Sequence, residues 1–97
     1  MEYRAYRVSG RVQRVGFREW TRRTAERLDL AGTVRNLPDG RVEIRAQGSK
    51  GALDELEVAL RKGPLAARVD EVERLSGVAD EAAEGFRVIS LTRGARR

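Results

Sequence analysis

The chain has 97 residues, 40% of them hydrophobic and 36% charged, a length and balance that fit one folded domain and exclude a multidomain enzyme. It contains neither cysteine nor histidine, so disulfides, zinc sites, thiol nucleophiles and imidazole acid–base chemistry are excluded. No apolar run is long enough for a membrane span, and no charged-then-apolar leader opens the sequence, so we expect a cytoplasmic protein.

Positive charge is concentrated in the first half of the chain. Residues 1–48 carry 11 basic and 6 acidic side chains, whereas residues 49–97 carry nine of each. Seven arginines and a single acid, Glu19, fall within residues 4–23, a density that favours binding of an anion. The alternative is a compositional bias toward arginine, with the side chains on solvated faces.

The first elements in chain order are a short strand, a glycine-bounded loop and an amphipathic helix. Residues 3–9 mix aromatic, branched and basic side chains, which predicts a strand ending at Gly10. The loop then runs to Gly16. From Phe17 the apolar positions recur at spacings of three and four, which predicts a helix that ends near Asp29.

Two extended runs follow, residues 32–37 and 41–46, separated by Pro38-Asp39-Gly40. Proline presets φ for a turn and glycine tolerates positive φ, so this sequence predicts an antiparallel hairpin. Apolar and charged residues alternate along the second run. We therefore expect one apolar and one solvated face on this part of the sheet.

The next two elements are a second helix and a less regular strand. Ser49 is a suitable N-cap, and Gly63 followed by proline ends the helical pattern. Residues 67–78 are a strand candidate in which Val69 and Val72 are three apart, so strict alternation is broken. A β-bulge or bend is therefore expected in this strand.

The chain closes with an acidic loop over residues 80–84, a last strand over residues 86–91 and a basic tail over residues 93–97. We expect one domain over residues 1–92. The order strand, helix, strand, strand, helix, strand predicts an α+β fold, the ferredoxin-like α/β plait. Its two helices would cover one face of a four- to five-stranded antiparallel sheet.

The loop between the first strand and the first helix is the candidate site. Its glycines and the following helix N-terminus allow several backbone N–H groups to converge on one point, with the positive end of the helix dipole behind them. This arrangement suits a phosphate group. Arg18, in the first helical turn, opposes the dipole but has the planar fork that suits two phosphate oxygens. The alternative is a plain connection with a solvent-facing arginine.

Two runs of the sequence resemble the signatures of the acylphosphatase family. The first is Val8-Ser-Gly-Arg-Val-Gln-Arg-Val-Gly-Phe-Arg18, and the second is Gly32-Thr-Val-Arg-Asn36 followed by Gly40, Val42 and Gly48. The resemblance extends over nearly the whole chain and implies hydrolysis of a carboxyl–phosphate anhydride. It further implies that Arg18 binds the phosphate, that Asn36 orients the attacking water, and that the loop backbone cradles the phosphoryl oxygens. The loop residues are Arg11, Val12, Gln13, Arg14, Val15, Gly16 and Phe17.

The sequence departs from the family pattern at Arg14, where the family usually has glycine. If the backbone there has positive φ, a residue with a side chain costs about 1–2 kcal/mol. The guanidinium either covers the mouth of the pocket or attracts an anionic substrate.

The residue inventory is compatible with the reaction that the resemblance implies. Phosphoryl transfer requires mainly positioning and charge stabilisation, and a carboxylate leaving group, with a conjugate-acid pKa of about 4, needs no general acid. We therefore expect no metal and no cofactor. The expected partners are a small acyl phosphate and inorganic phosphate, with no membrane.

Two other interpretations stay open on the sequence alone. One is a non-catalytic anion- or RNA-binding plait module, which the basic half favours. Few aromatic residues are present, and the central hairpin strand lacks the rings on which RNA bases stack. The other is a regulatory or assembly module, and the oligomeric state is not indicated by the sequence.

Overall fold

The computed structural model describes residues 1–78 and 83–89, and within these ranges the predicted order of elements is confirmed. The elements are β1 (Glu2–Arg11), α1 (Phe17–Arg27), β2 (Ala31–Asn36), β3 (Val42–Gly48), α2 (Lys50–Lys62), β4 (Arg68–Leu75) and β5 (Phe86–Val88). Most of the predicted acidic loop, the end of the predicted last strand and the basic tail lie outside the described residues. The predicted domain boundary at residue 92 lies outside them as well.

The five strands form one sheet in the order β4-β1-β3-β2-β5. Four of them pair antiparallel as predicted, but β5 runs parallel to β2, so the prediction of a wholly antiparallel sheet is wrong at this edge. The reason lies in the connection from β4. This connection leaves the sheet near Leu75, which pairs with Ala5, and it re-enters at Phe86, which pairs with Gly32, at the same end of the sheet. A strand entering from that end must run alongside β2 in the same direction.

Both helices share one hydrophobic core with one face of the sheet. Helix α1 buries Phe17 and Ala25, and α2 buries Leu53, Leu56 and Leu60. The predicted N-cap is confirmed, because the Ser49 side chain accepts a hydrogen bond from the Ala52 N–H at 3.1 Å. Neither described helix is long and apolar enough to cross a membrane.

The second face of the hairpin strand β3 is less solvated than the alternating pattern predicts. Glu43 is only 6% exposed, although it occupies a position expected to face solvent. Its carboxylate lies 2.9 Å from the Arg35 guanidinium and 3.3 Å from that of Arg45. A buried carboxylate is tolerated where such partners replace its lost hydration.

The bulge predicted for the fourth strand is confirmed at the end of β1. Ser9 pairs with Glu71 but Gly10 pairs with Val69, so one residue of β4 is skipped. Gly10 has φ +126°, and a Cβ there would lie 2.1 Å from the Arg68 carbonyl oxygen. Glycine is therefore required where β1 leaves the sheet and enters the candidate loop.

Candidate active site

The candidate site lies at one edge of the sheet, where β1 and β2 both end. Val42 on the central strand β3 pairs with Val8 on one side and with Asn36 on the other. Strands β1 and β2 are both antiparallel to β3 and therefore run in the same direction. Although the two strands are not neighbours, the loop that follows β1 and the side chain of Asn36 reach the same edge.

The loop after β1 is a fixed bend that leads directly into α1. Val12 and Phe17, one at each end of it, are each 1% exposed and anchor it in the core. Gly16, with φ 77° and ψ 16°, is the N-cap of α1 and offers no side chain to the first-turn N–H groups. A helix N-terminus without a capping side chain suits an anion, because its first-turn N–H groups and the positive end of the helix dipole have no side-chain acceptor.

One cavity of about 220 Å³ opens at this edge. It brings together six of the nine predicted site residues, namely Val12, Arg14, Gly16, Phe17, Arg18 and Asn36. The other three do not line it. Arg11 is the exposed last residue of β1, Val15 packs on the core, and the Gln13 side chain is hydrogen-bonded to the β2–β3 hairpin.

Two residues that the sequence analysis missed also line the cavity, Glu19 and Val88. Glu19 directly follows Arg18 in the first helical turn, and this position could have predicted that Glu19 also lines the cavity. Val88 comes from β5, and only the parallel pairing of this strand with β2 explains how it reaches the cavity.

Asn36 lines this cavity and carries a buried hydrogen-bond acceptor. Its Oδ1 atom is buried and has no hydrogen-bond partner among the described residues. Leaving a buried acceptor unsatisfied costs about 1–3 kcal/mol, so this atom is suited to a water or a substrate donor. A carboxamide oxygen accepts a hydrogen bond from water without removing its proton at neutral pH.

The Arg18 guanidinium is not paired with any carboxylate of the described residues around the cavity. Within the described ranges, Arg18 makes no ion pair. The neighbouring Glu19 carboxylate lies 2.9 Å from Arg22, and the hydrogen bond from that guanidinium lowers the pKa of Glu19. Arg22 is also 2.9 Å from Glu26. The Glu19 charge is thus already paired, and Arg18 is free to bind an incoming anion.

Arg14 adopts a positive φ, which is unfavourable for a residue with a side chain. Its φ is 65°, in the left-handed region, and its exposed side chain lines the cavity. We expect Arg14→Gly to raise the free energy of unfolding by about 0.5–1 kcal/mol, because relief of backbone strain outweighs the added entropy of the unfolded chain. We also expect a higher KM for acyl phosphates, the substrates that the resemblance implies, because a cation at the rim of the cavity is lost.

Urea unfolding and steady-state kinetics measure the two effects of Arg14→Gly. Arg14→Gln is the matched control, since it removes the charge but retains the strained backbone, so KM alone should rise. A higher kcat in Arg14→Gly would instead show that the arginine obstructs the mouth.

No group of three or more acidic side chains in the described part of the chain is placed to hold a metal ion. The charged and polar side chains that line the cavity are those of Arg14, Arg18, Glu19 and Asn36, and the Glu19 carboxylate is hydrogen-bonded to Arg22. Guanidinium and backbone N–H groups are donors that suit the oxygens of a phosphorylated ligand, and a carboxamide oxygen accepts a hydrogen bond.

Comparison with known proteins places these features in a family. The Acylphosphatase family model matches residues 4–88. The chain is 59% identical over 81 residues to an acylphosphatase of Nitratidesulfovibrio vulgaris, covering 84% of this chain and 81% of the relative. Its fold is similar to that of the Bacillus subtilis acylphosphatase, with a TM-score of 0.86, 35% identity and coverage of 92% and 99% of the two chains. An acylphosphatase structure from Coxiella burnetii gives a TM-score of 0.83 at 39% identity, over 91% and 92% of the two chains.

Proposed function

The chain belongs to the acylphosphatase family, and from this premise we propose that the cavity formed by Arg18 and Asn36 is where it hydrolyses acyl phosphates. The products are a carboxylate and inorganic phosphate. The observation that carries the proposal is that one cavity at a helix N-terminus is lined both by Arg18, which makes no ion pair within the described ranges, and by Asn36, whose buried Oδ1 atom has no hydrogen-bond partner there.

The phosphoryl group binds first in this mechanism. Its oxygens accept hydrogen bonds from the backbone N–H groups of the 11–17 loop and from the two-pronged guanidinium of Arg18. Because charge is spread over the phosphoryl oxygens in a loose transition state, donors that are already in place stabilise it without reorganisation. Glu19, which also lines the cavity, is paired with Arg22, and because this guanidinium is shared with Glu26 the repulsion of the phosphoryl group by Glu19 is reduced but not cancelled.

The attacking water is held by Asn36. The carboxamide Oδ1 accepts a hydrogen bond from the water and orients its oxygen in line with the bond to be broken. The water oxygen forms a bond to phosphorus, the bond from phosphorus to the carboxylate oxygen breaks, and that electron pair leaves with the carboxylate. The water proton passes to a phosphate oxygen of the substrate. No side chain changes its protonation state in this scheme.

Benzoyl phosphate tests the proposal directly. We expect hydrolysis without added metal, a rate that a chelator does not change, and competitive inhibition by inorganic phosphate. A requirement for magnesium would contradict the mechanism. Absence of turnover together with salt-sensitive binding of oligonucleotides would instead favour the anion- or RNA-binding alternative.

Two further expectations about partners and location stay predictions. These are the absence of nucleic-acid partners and a cytoplasmic location.

A further inference from the structure

The side chain of Gln13 connects the phosphate-binding loop to the hairpin that carries Asn36. Its half-buried Nε2 atom donates to the Leu37 carbonyl oxygen and to the Arg41 carbonyl oxygen, each at 2.9 Å. A carboxamide nitrogen has two hydrogens, and both are used here. The Gln13 carboxamide therefore points toward the backbone beside Asn36, and Gln13 does not line the cavity.

The two carbonyl groups that Gln13 binds flank Asn36 closely. Leu37 directly follows Asn36, and Arg41 precedes Val42, the residue paired with Asn36 across the hairpin. The Arg41 oxygen also accepts the Leu37 N–H at 2.8 Å. One amide nitrogen thus connects the loop to the two residues that directly adjoin the strands of the hairpin, Leu37 after Asn36 and Arg41 before its pairing partner Val42.

The sheet alone does not provide this connection. Strand β3 lies between β1 and β2, so β1 and Asn36 are joined only through Val42. Residues 12–16 leave the sheet altogether and pair with no strand. Among the described residues, the side-chain hydrogen bonds between this loop and the hairpin turn both come from Gln13.

We propose that Gln13 is a positioning residue that sets the distance between the bound phosphoryl group and the water held by Asn36. This inference rests on the function proposed above. Groups that react in line must be held close together, and a displacement of about 1 Å lowers the rate by about a hundredfold. Loss of the two hydrogen bonds from Gln13 lets the loop and the hairpin move relative to each other while each keeps its own structure.

The test uses Gln13→Met, which keeps the length of the side chain and removes both donors. We expect kcat to fall by about ten- to a hundredfold. Affinity for inorganic phosphate should change less than threefold, since the loop amides and Arg18 are untouched. Binding can be followed by the fluorescence of Trp20, the single tryptophan, whose ring lies 5.3 Å from the ring of Phe17 in the cavity wall.

A double-variant cycle with Asn36→Ala separates positioning from general support of the fold. If Gln13 acts through Asn36, adding Gln13→Met to Asn36→Ala should lower kcat by no more than about threefold further. Ser49→Ala is the structural control, because it removes a helix-capping hydrogen bond at the far end of the sheet. It should lower the melting temperature and leave kcat unchanged.

Two results would overturn the proposal. One is a full multiplicative loss in the double variant, which would mean that Gln13 and Asn36 act independently. The other is weaker phosphate binding in Gln13→Met, which would make Gln13 part of the phosphate site. Should Gln13→Met not fold, Gln13→Leu, which has a shorter side chain and also lacks both donors, tests the proposal by the same criteria. Failure of the proposed function itself would look different, because wild-type protein would not hydrolyse benzoyl phosphate or Asn36→Ala would retain full kcat.

Discussion

Arg18→Gln is expected to lower kcat/KM for benzoyl phosphate by about a thousandfold. The guanidinium is the cavity-lining cation in the first turn of α1, and it has no ion partner within the described ranges. Glutamine retains some hydrogen-bonding capacity but removes the charge and the two-pronged geometry that match a phosphoryl group. Affinity for inorganic phosphate should fall roughly tenfold or more, since charge-assisted hydrogen bonds are lost in the ground state as well.

Arg27→Gln is the matched control for Arg18→Gln. It makes the same change in charge and lies on the same helix, but in the exposed last turn, nine residues away and outside the cavity. We expect kcat/KM within about twofold of wild type, because an exposed charge at that distance is largely screened. Phosphate affinity that survives in Arg18→Gln would remove this arginine from the phosphate site.

Asn36→Ala is expected to lower kcat by about a hundredfold, equivalent to about 3 kcal/mol, with phosphate affinity unchanged. Turnover and phosphate affinity should respond differently, because the carboxamide holds the attacking water in this mechanism. That water is not needed for phosphate to bind. Stability should not fall, since the buried Oδ1 atom has no partner to lose among the described residues. Removal of an unsatisfied buried acceptor is neutral or favourable.

Steady-state kinetics and Trp20 fluorescence measure the two quantities for Asn36→Ala. Thr33→Val on the same strand is a suitable control, because Thr33 does not line the cavity that contains Asn36 and valine suits a strand. Equal losses in turnover and in phosphate affinity would show that Asn36 contacts the phosphate rather than the water.

The parts of the fold that local chemistry determines could be predicted from the sequence. The N-cap at Ser49, the turn at Pro38-Asp39-Gly40 and the bulge next to Val69 in β4 each depend on a few adjacent residues. The direction of β5 could not be predicted this way, because it depends on which end of the sheet the preceding connection re-enters. The burial of Glu43 was equally hidden, since its arginine partners are supplied by neighbouring strands or lie two residues away.

The candidate site likewise contains residues that the sequence motifs predict and residues whose positions depend on long-range contacts. Arg18 and Asn36 were singled out by the two motifs, and the structure brings both to one cavity. The direction of the Gln13 side chain could not be predicted, because its acceptors are 24 and 28 residues away in sequence and are exposed to it only once the hairpin closes. The position of Val88 could not be predicted either, because Val88 reaches the cavity wall only through the parallel pairing of β5 with β2.

The amino end of β1 and the cavity are at opposite ends of the sheet. Glu2 pairs with Gly48, whereas the cavity opens beyond Val8 and its partner Val42, six residues or about 20 Å further along the strand. A tether, affinity tag or fusion partner joined ahead of Glu2 therefore projects away from the mouth. Anchored to a bead or an electrode by this end, the enzyme would present its open side to the passing solution.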